Sequence, residues 1–141
     1  MEFDHEKLEV YHISIEFLVM VNKAIKSIPK SKFYLQDQLQ RASCSISLNI
    51  AEGAGEFSSK EKARFYRMAK RSATECAAIL DVGLRLGAID QKRHDEGRKK
   101  LISIVSILTK LAKNLVTKTP TSARASTSAP VNLNSRIIVT R

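Results

Sequence analysis

The feature that most limits what this chain can fold into is its long stretches without a helix breaker. In the run from Lys32 to Glu52, Leu35, Leu39, Ala42, Ile46 and Ile50 recur at intervals of three and four, the period of one face of an α-helix. Five glycines and three prolines are all that interrupt 141 residues, which disfavours a turn-rich β fold. The same period appears three more times. Leu8, Tyr11, Ile15, Leu18, Asn22 and Ile25 mark a first helix, with Asp4 as N-cap and Pro29 ending it. The second is expected from Ser31 or Lys32 to Glu52, closed by Gly53 and Gly55. Ser58 and Glu61 form a capping box that opens a third helix. Its inner face is read as Phe65, Met68, Ala69, Ser72, Cys76, Ile79 and Leu86, with Gly83 admitting a close neighbour and Gly87 ending it. A fourth helix starts near Asp90, is loosened by Gly97, and runs to about Lys118 with Leu101, Ile104, Val105, Leu108, Leu111, Ala112 and Leu115 inward. Four helices with short connections make an all-α, antiparallel up-and-down four-helix bundle over residues 1–118.

From Thr119 to Arg141 the chain is rich in Ser, Thr and Pro and loses its period. That composition is read as a disordered basic tail. The first helix has a second apolar side, made of Val10, Ile13, Phe17, Val21, Ala24 and Ile28. The side carrying Val10, Ile13, Phe17, Val21 and Ala24 is assigned to a subunit contact, because every helix of a small bundle has an outward side.

Charge narrows the function. The net charge is +10, and its distribution is uneven. Residues 1–28 carry three basic and five acidic groups, whereas residues 58–89 carry seven against three and residues 90–118 eight against three. Such a surface favours polyanionic partners. Lys60, Arg64, Arg67 and Arg71 follow at i, i+4, i+7 and i+11 on one face of the third helix, with Arg85 about four turns beyond Arg71. Lys92, Lys99, Lys110 and Lys113 lie on the outer side of the fourth. A row of one sign forgoes the (i, i+4) pairs that stabilise a solvated helix, and a phosphate backbone complements it through counterion release. Lys60, Arg64, Arg67, Arg71, Arg85, Lys92 and Lys99 are therefore the expected contacts to RNA or DNA, made to phosphates and shape rather than to base edges.

A polar ladder is the other unusual feature. Gln38, Arg41, Ser45, Asn49 and Glu52 stand at intervals of three, four, four and three beside the apolar stripe of the second helix. Polar groups next to a core require partners. Arg41 and Glu52 could serve each other, and Ser72 and Glu75 on the third helix could complete the set. Gln38, Arg41, Ser45, Asn49, Glu52, Ser72 and Glu75 are read as a structural polar network, with a subunit contact and a ligand site as the alternatives. Catalysis has no support. His5, His12 and His94 are scattered, no metal-ligand spacing exists, and neither Cys44 nor Cys76 has a neighbouring His. No enzyme activity, cofactor or metal is expected. The N-terminus has no secretory signal and no segment could span a membrane. With two separated cysteines, a cytoplasmic setting is expected.

The stretch from Gln38 to Glu75 resembles the motif of the four-helix-bundle proteins encoded in 23S rRNA intervening sequences. Gln38, Arg41, Ala42, Ser45, Ile46, Asn49, Ile50, Ala51, Glu52, Gly53, Gly55, Ser72 and Glu75 carry the likeness. Gln40, Ser47, Glu56 and Arg71 depart from it. The resemblance implies a left-handed up-and-down bundle, often a homopentamer, similar to the accessory proteins of diversity-generating retroelements, which bind nucleic acid. It further implies a protein partner such as a reverse transcriptase. The function expected is a homo-oligomeric, non-catalytic nucleic-acid-binding accessory protein, the alternative being an oligomeric protein-interaction scaffold.

Overall fold

A computed structural model describes residues 1–118. It contains α1 (Glu9–Ala24), α2 (Phe33–Ala54), α3 (Ser59–Arg85) and α4 (Gln91–Lys118). The expected tail, residues 119–141, lies outside the described residues. A short 3₁₀ turn, Asp4–Lys7, precedes α1, and two more, Ile25–Ser27 and Lys30–Lys32, carry the chain past Pro29 into α2. Asp4 belongs to the first of these turns, and the N-cap position of α1 is Leu8, without a side-chain cap. Helices α1 and α3 each pack against both α2 and α4, so α1 and α3 stand diagonally across a four-helix bundle.

The stripe of α2 falls where its period puts it. Leu35, Leu39, Ala42, Ile46 and Ile50 are all buried. Helix α1 is turned the other way from the expectation. Val10, Phe17, Val21 and Ala24 are at most 1% exposed inside the chain's own core, with Ile13 half-buried against it, so they are not available as a subunit contact. The two sides of α1 are comparably apolar. Ser14 is fully buried on the Val10–Phe17 side, where its hydroxyl lies 2.9 Å from that of Ser47 on α2. The side left outward carries half-buried Ile15 and Leu18 and half-exposed Val19.

Helix α3 also differs from its expected orientation. Its buried residues are Ala63, Tyr66, Ala69, Ala73, Cys76, Ile79, Leu80 and Gly83, while Met68 and Leu86 are exposed and Phe65 and Ser72 only half-buried. The true face is centred some 70° from the predicted one by the ~100° step per residue. Small alanines form it, which lets α3 approach both neighbours closely. The Ser58 hydroxyl accepts the Glu61 N–H at 3.2 Å and caps the helix, whereas the Glu61 carboxylate turns to Arg64.

The glycines place the helices. Gly53 lies inside α2, and a Cβ there would stand 2.9 Å from both Phe65 Cβ and the Tyr66 ring. It is a packing residue, and α2 ends only after Ala54 with Gly55 as its cap. Lys62 completes that end by donating to Ala54 O at 2.7 Å, a cation at a helix C-terminus. Gly97 does not loosen α4. It is buried, and its missing Cβ leaves room for Leu80 and Met20. Gly83 gives the expected close approach, to Ile89. Gly87, at φ 73°, ends α3, with Ala88 N–H bonded to Gly83 O and Gly87 N–H to Leu84 O, the paired bonds of a Schellman turn. Asp90 then caps α4 through the Arg93 N–H at 2.8 Å.

Candidate nucleic-acid interface

The basic row of α3 lies on the side of the helix opposite its buried face, because its residues sit roughly 180° from Ala69 and Leu80. Lys60, Arg64, Arg67 and Arg71 are all exposed. One carboxylate reaches the row: Glu61 Oε2 accepts from Arg64 Nε at 3.0 Å. Exposed pairs of this kind contribute about 0.2–1 kcal/mol. The pair also orients the guanidinium, which stacks over the Phe65 ring at 4.6 Å and approaches Met68 Sδ at 3.5 Å.

Arg85 is exposed on the same side, but the row does not run to it. Ala78 and Val82 occupy the intervening turns and are exposed. Lys92 and Lys99 are exposed on the outer side of α4, on the adjoining side of the bundle. The seven expected contacts thus divide into a compact group of four, one outlying arginine and two lysines round the corner. Sequence reasoning left out Lys70 as a contact and kept Lys113 only as an outer residue. Arg67, Lys70 and Lys113 line a groove of about 330 Å³ between α3 and α4, with Leu108, Ala112 and Val116 contributing to its walls. This clustering joins the two basic surfaces. It was hidden because Lys70 and Lys113 are brought together only by the pairing of α3 with α4.

The polar ladder divides as well. Ser45 Oγ lies 3.0 Å from Ser72 Oγ, and Asn49 Nδ2 donates to Ser45 O at 2.9 Å and to its Oγ at 3.0 Å. With Met68, Arg71 and Glu75 these three line an open groove of about 430 Å³ between α2 and α3. Gln38, Arg41 and Glu52 are exposed outside it. Arg41 pairs with Asp37 at 3.4 Å and not with Glu52. Arg71 and Glu75 stand at i, i+4 along this groove and are not joined by an ion pair among the described residues.

The chemistry of the remaining groups is structural. Burial pushes the Cys76 thiol up to about 12, with the Glu75 charge adding to the effect, so this sulfur is protonated and inert. Burial, then the charge of Asp4, raises the Tyr66 hydroxyl above its ordinary value. His94 Nε2 lies 2.7 Å from Asp81 Oδ1, tying α4 to α3. Among the described residues no cluster of His, Cys, Asp and Glu could hold a metal ion, and no helix is long and apolar enough to cross a membrane.

A four-helix bundle with a basic outer helix and a polar seam on its second helix defines the class. Residues 6–110 match the sequence model of the 23S rRNA-intervening sequence protein family, and the chain belongs to that family. Searching the curated proteins finds no match.

Proposed function

We propose that this protein is a homo-oligomeric accessory protein that binds the phosphate backbone of RNA or DNA through the outward face of α3, without catalysis. The observation that carries the reading is the cluster of Lys60, Arg64, Arg67 and Arg71, exposed together and opposed by one carboxylate. Lys70 and Lys113 extend it across the α3–α4 groove. A surface of this kind binds nucleic acid with little sequence preference and strong salt dependence. Assembly multiplies the charge, and five copies are the favoured number on the resemblance to pentameric relatives. The outward side of α1 and the exposed Cys44 and Leu48 of α2 are apolar ground for such contacts in place of the buried Val10 side. A reverse transcriptase is the kind of enzyme such an adaptor would serve, and the cytoplasm its setting.

The test is fluorescence anisotropy with structured RNA and duplex DNA at about 50 and 200 mM salt, a range in which phosphate-driven binding falls steeply. The wild type is compared with a Lys60/Arg64/Arg67/Arg71 charge reversal, and mass is followed by light scattering. Salt-sensitive binding lost in the variant at unchanged mass supports the reading. Equal binding by both proteins, or none by either, overturns it and favours a scaffold for protein partners.

A further inference from the structure

We infer that the groove between α2 and α3 is a binding site for an unpaired guanine base. Where that guanine belongs to a strand, the inference rests on the nucleic-acid reading of the adjoining α3 face.

The groove is open and lined mostly by polar side chains. Its volume of about 430 Å³ is within the range of small-ligand sites. Ser45, Asn49 and Ser72 are committed to one another at its floor. Both amide hydrogens that Asn49 could offer are drawn toward Ser45, which leaves Asn49 Oδ1 as the acceptor of that side chain. Above them, Arg71 and Glu75 line the same groove one helical turn apart without an ion pair between them. Both side chains are exposed, and the cation N-terminal to the acid is the weaker (i, i+4) orientation. Here the guanidinium and the carboxylate each keep their hydrogen-bonding capacity for a third group.

The third group must supply donors to Glu75 and acceptors to Arg71. A phosphate offers acceptors and is repelled by the carboxylate; a simple cation is repelled by the guanidinium. Guanine meets both demands. Its N1–H and exocyclic N2 amine are adjacent donors that match a carboxylate, and its O6 and N7 are acceptors that match an arginine. Adenine turns an acceptor, N1, toward the carboxylate; cytosine and uracil each offer a single donor group on that edge. Met68, 36% exposed, gives the base a polarizable wall. The edge that Glu75 would read is covered in a duplex, so the base must be unpaired. Arg64, in contact with Met68, places the phosphate-binding row beside the same wall.

The experiment uses the full chain and uridine-rich oligoribonucleotides of one length, with a central guanine, adenine or uracil. The guanine strand should bind about tenfold or more tightly than the other two. Glu75→Gln and Arg71→Gln should remove that preference; Arg71→Gln should also weaken all strands through the lost phosphate contact, whereas Glu75→Gln, which removes a negative charge beside the row, should not weaken binding of the all-uracil strand. Arg67→Glu should weaken all strands alike and keep the preference. A second arm titrates free GMP against AMP and follows the amide signals of Ser45, Asn49 and Ser72 by NMR. GMP binding that is lost in Glu75→Gln, in a protein that binds no strand, leaves the guanine site standing while the nucleic-acid reading falls. Strand preference without GMP binding assigns the site to guanine within a polymer. No discrimination between guanine and adenine in either arm, or a preference that survives Glu75→Gln, overturns the inference.

Discussion

The Ser14 and Ser47 hydroxyls meet 2.9 Å apart in the interior, one from α1 and one from α2. Ser14 also donates to Tyr11 O at 2.6 Å, and a hydroxyl has a single hydrogen. Ser47 must therefore be the donor to Ser14. Removing Ser14 Oγ leaves a buried hydroxyl donor without its acceptor, which costs about 1–3 kcal/mol. Ser14→Ala is expected to destabilise by that amount in urea unfolding. Adding Ser47→Ala should recover part of the loss, so the double-mutant cycle should show coupling. Simple additivity would mean that the hydroxyls do not interact.

Gly53 and Gly97 should respond differently to alanine. At Gly53 the new methyl meets Phe65 Cβ and the Tyr66 ring at 2.9 Å, atoms that are close to backbone or rigid. Overpacking costs about 1–3 kcal/mol and outweighs the gain of about 1 kcal/mol from replacing a helical glycine. At Gly97 the nearest atoms are the tips of Leu80 and Met20, at 2.7 and 3.0 Å, which can turn aside. Gly53→Ala should lower the melting temperature and Gly97→Ala should leave it nearly unchanged.

The His94 contacts make stability depend on pH. Hydrogen bonding to Asp81, with Asp95 on the other ring nitrogen, raises the imidazole above its ordinary 6.5, against the opposing effect of burial. A raised folded value means that the protonated ring stabilises the fold fully below about pH 6.5, and that this contribution is lost as pH rises through the raised value. Asp95 is held below its ordinary 3.8, first by Gln91 and then by His94. Its contribution is present above that value and disappears as pH falls through the lowered one. Urea midpoints measured from pH 5 to about 9 should fall across the His94 titration in the wild type and flatten in His94→Gln.

Thiol chemistry should separate the cysteines. Cys44 is exposed and Cys76 buried, with the Cys76 thiol pushed up to about 12. A thiol reagent at neutral pH should modify Cys44 alone in the folded protein and both after denaturation. Fast modification of Cys76 without denaturant would show that α3 opens locally.

Much of the fold was legible because α2 and α4 repeat large apolar residues at one helical period, which leaves one face to bury. The orientations of α1 and α3 were not. In α3 the large side chains Phe65, Met68 and Leu86 suggest a face, yet alanines form the contact, since close helix approach rewards small residues that hydrophobicity patterns weigh lightly. In α1 two apolar sides compete, and the buried one also carries Ser14, a polar residue that apolar patterning counts against it. The candidate sites were half legible for a related reason. Ser45, Asn49, Ser72 and Glu75 could be grouped from helical spacing, but Arg71 belongs at once to the phosphate row and to the groove. That double membership depends on the rotation of α3. The junction of Arg67, Lys70 and Lys113 needed the pairing of α3 with α4, which no local pattern encodes.

The turn at Gly87 bears on how the chain reaches this state. It joins the two longest helices through the five residues between Arg85 and Gln91, and its bonds back to Gly83 and Leu84 fix their starting register. Local pairings need little loop closure before they are rewarded. The α2–α3 connection, Gly55 to Ser58, is just as short, so α3 is the helix about which both hairpins should form early, with the short, weakly capped α1 condensing last. On the ribosome, α4 would meet an α2–α3 pair already made, and the bundle could not close before α4 had been synthesised.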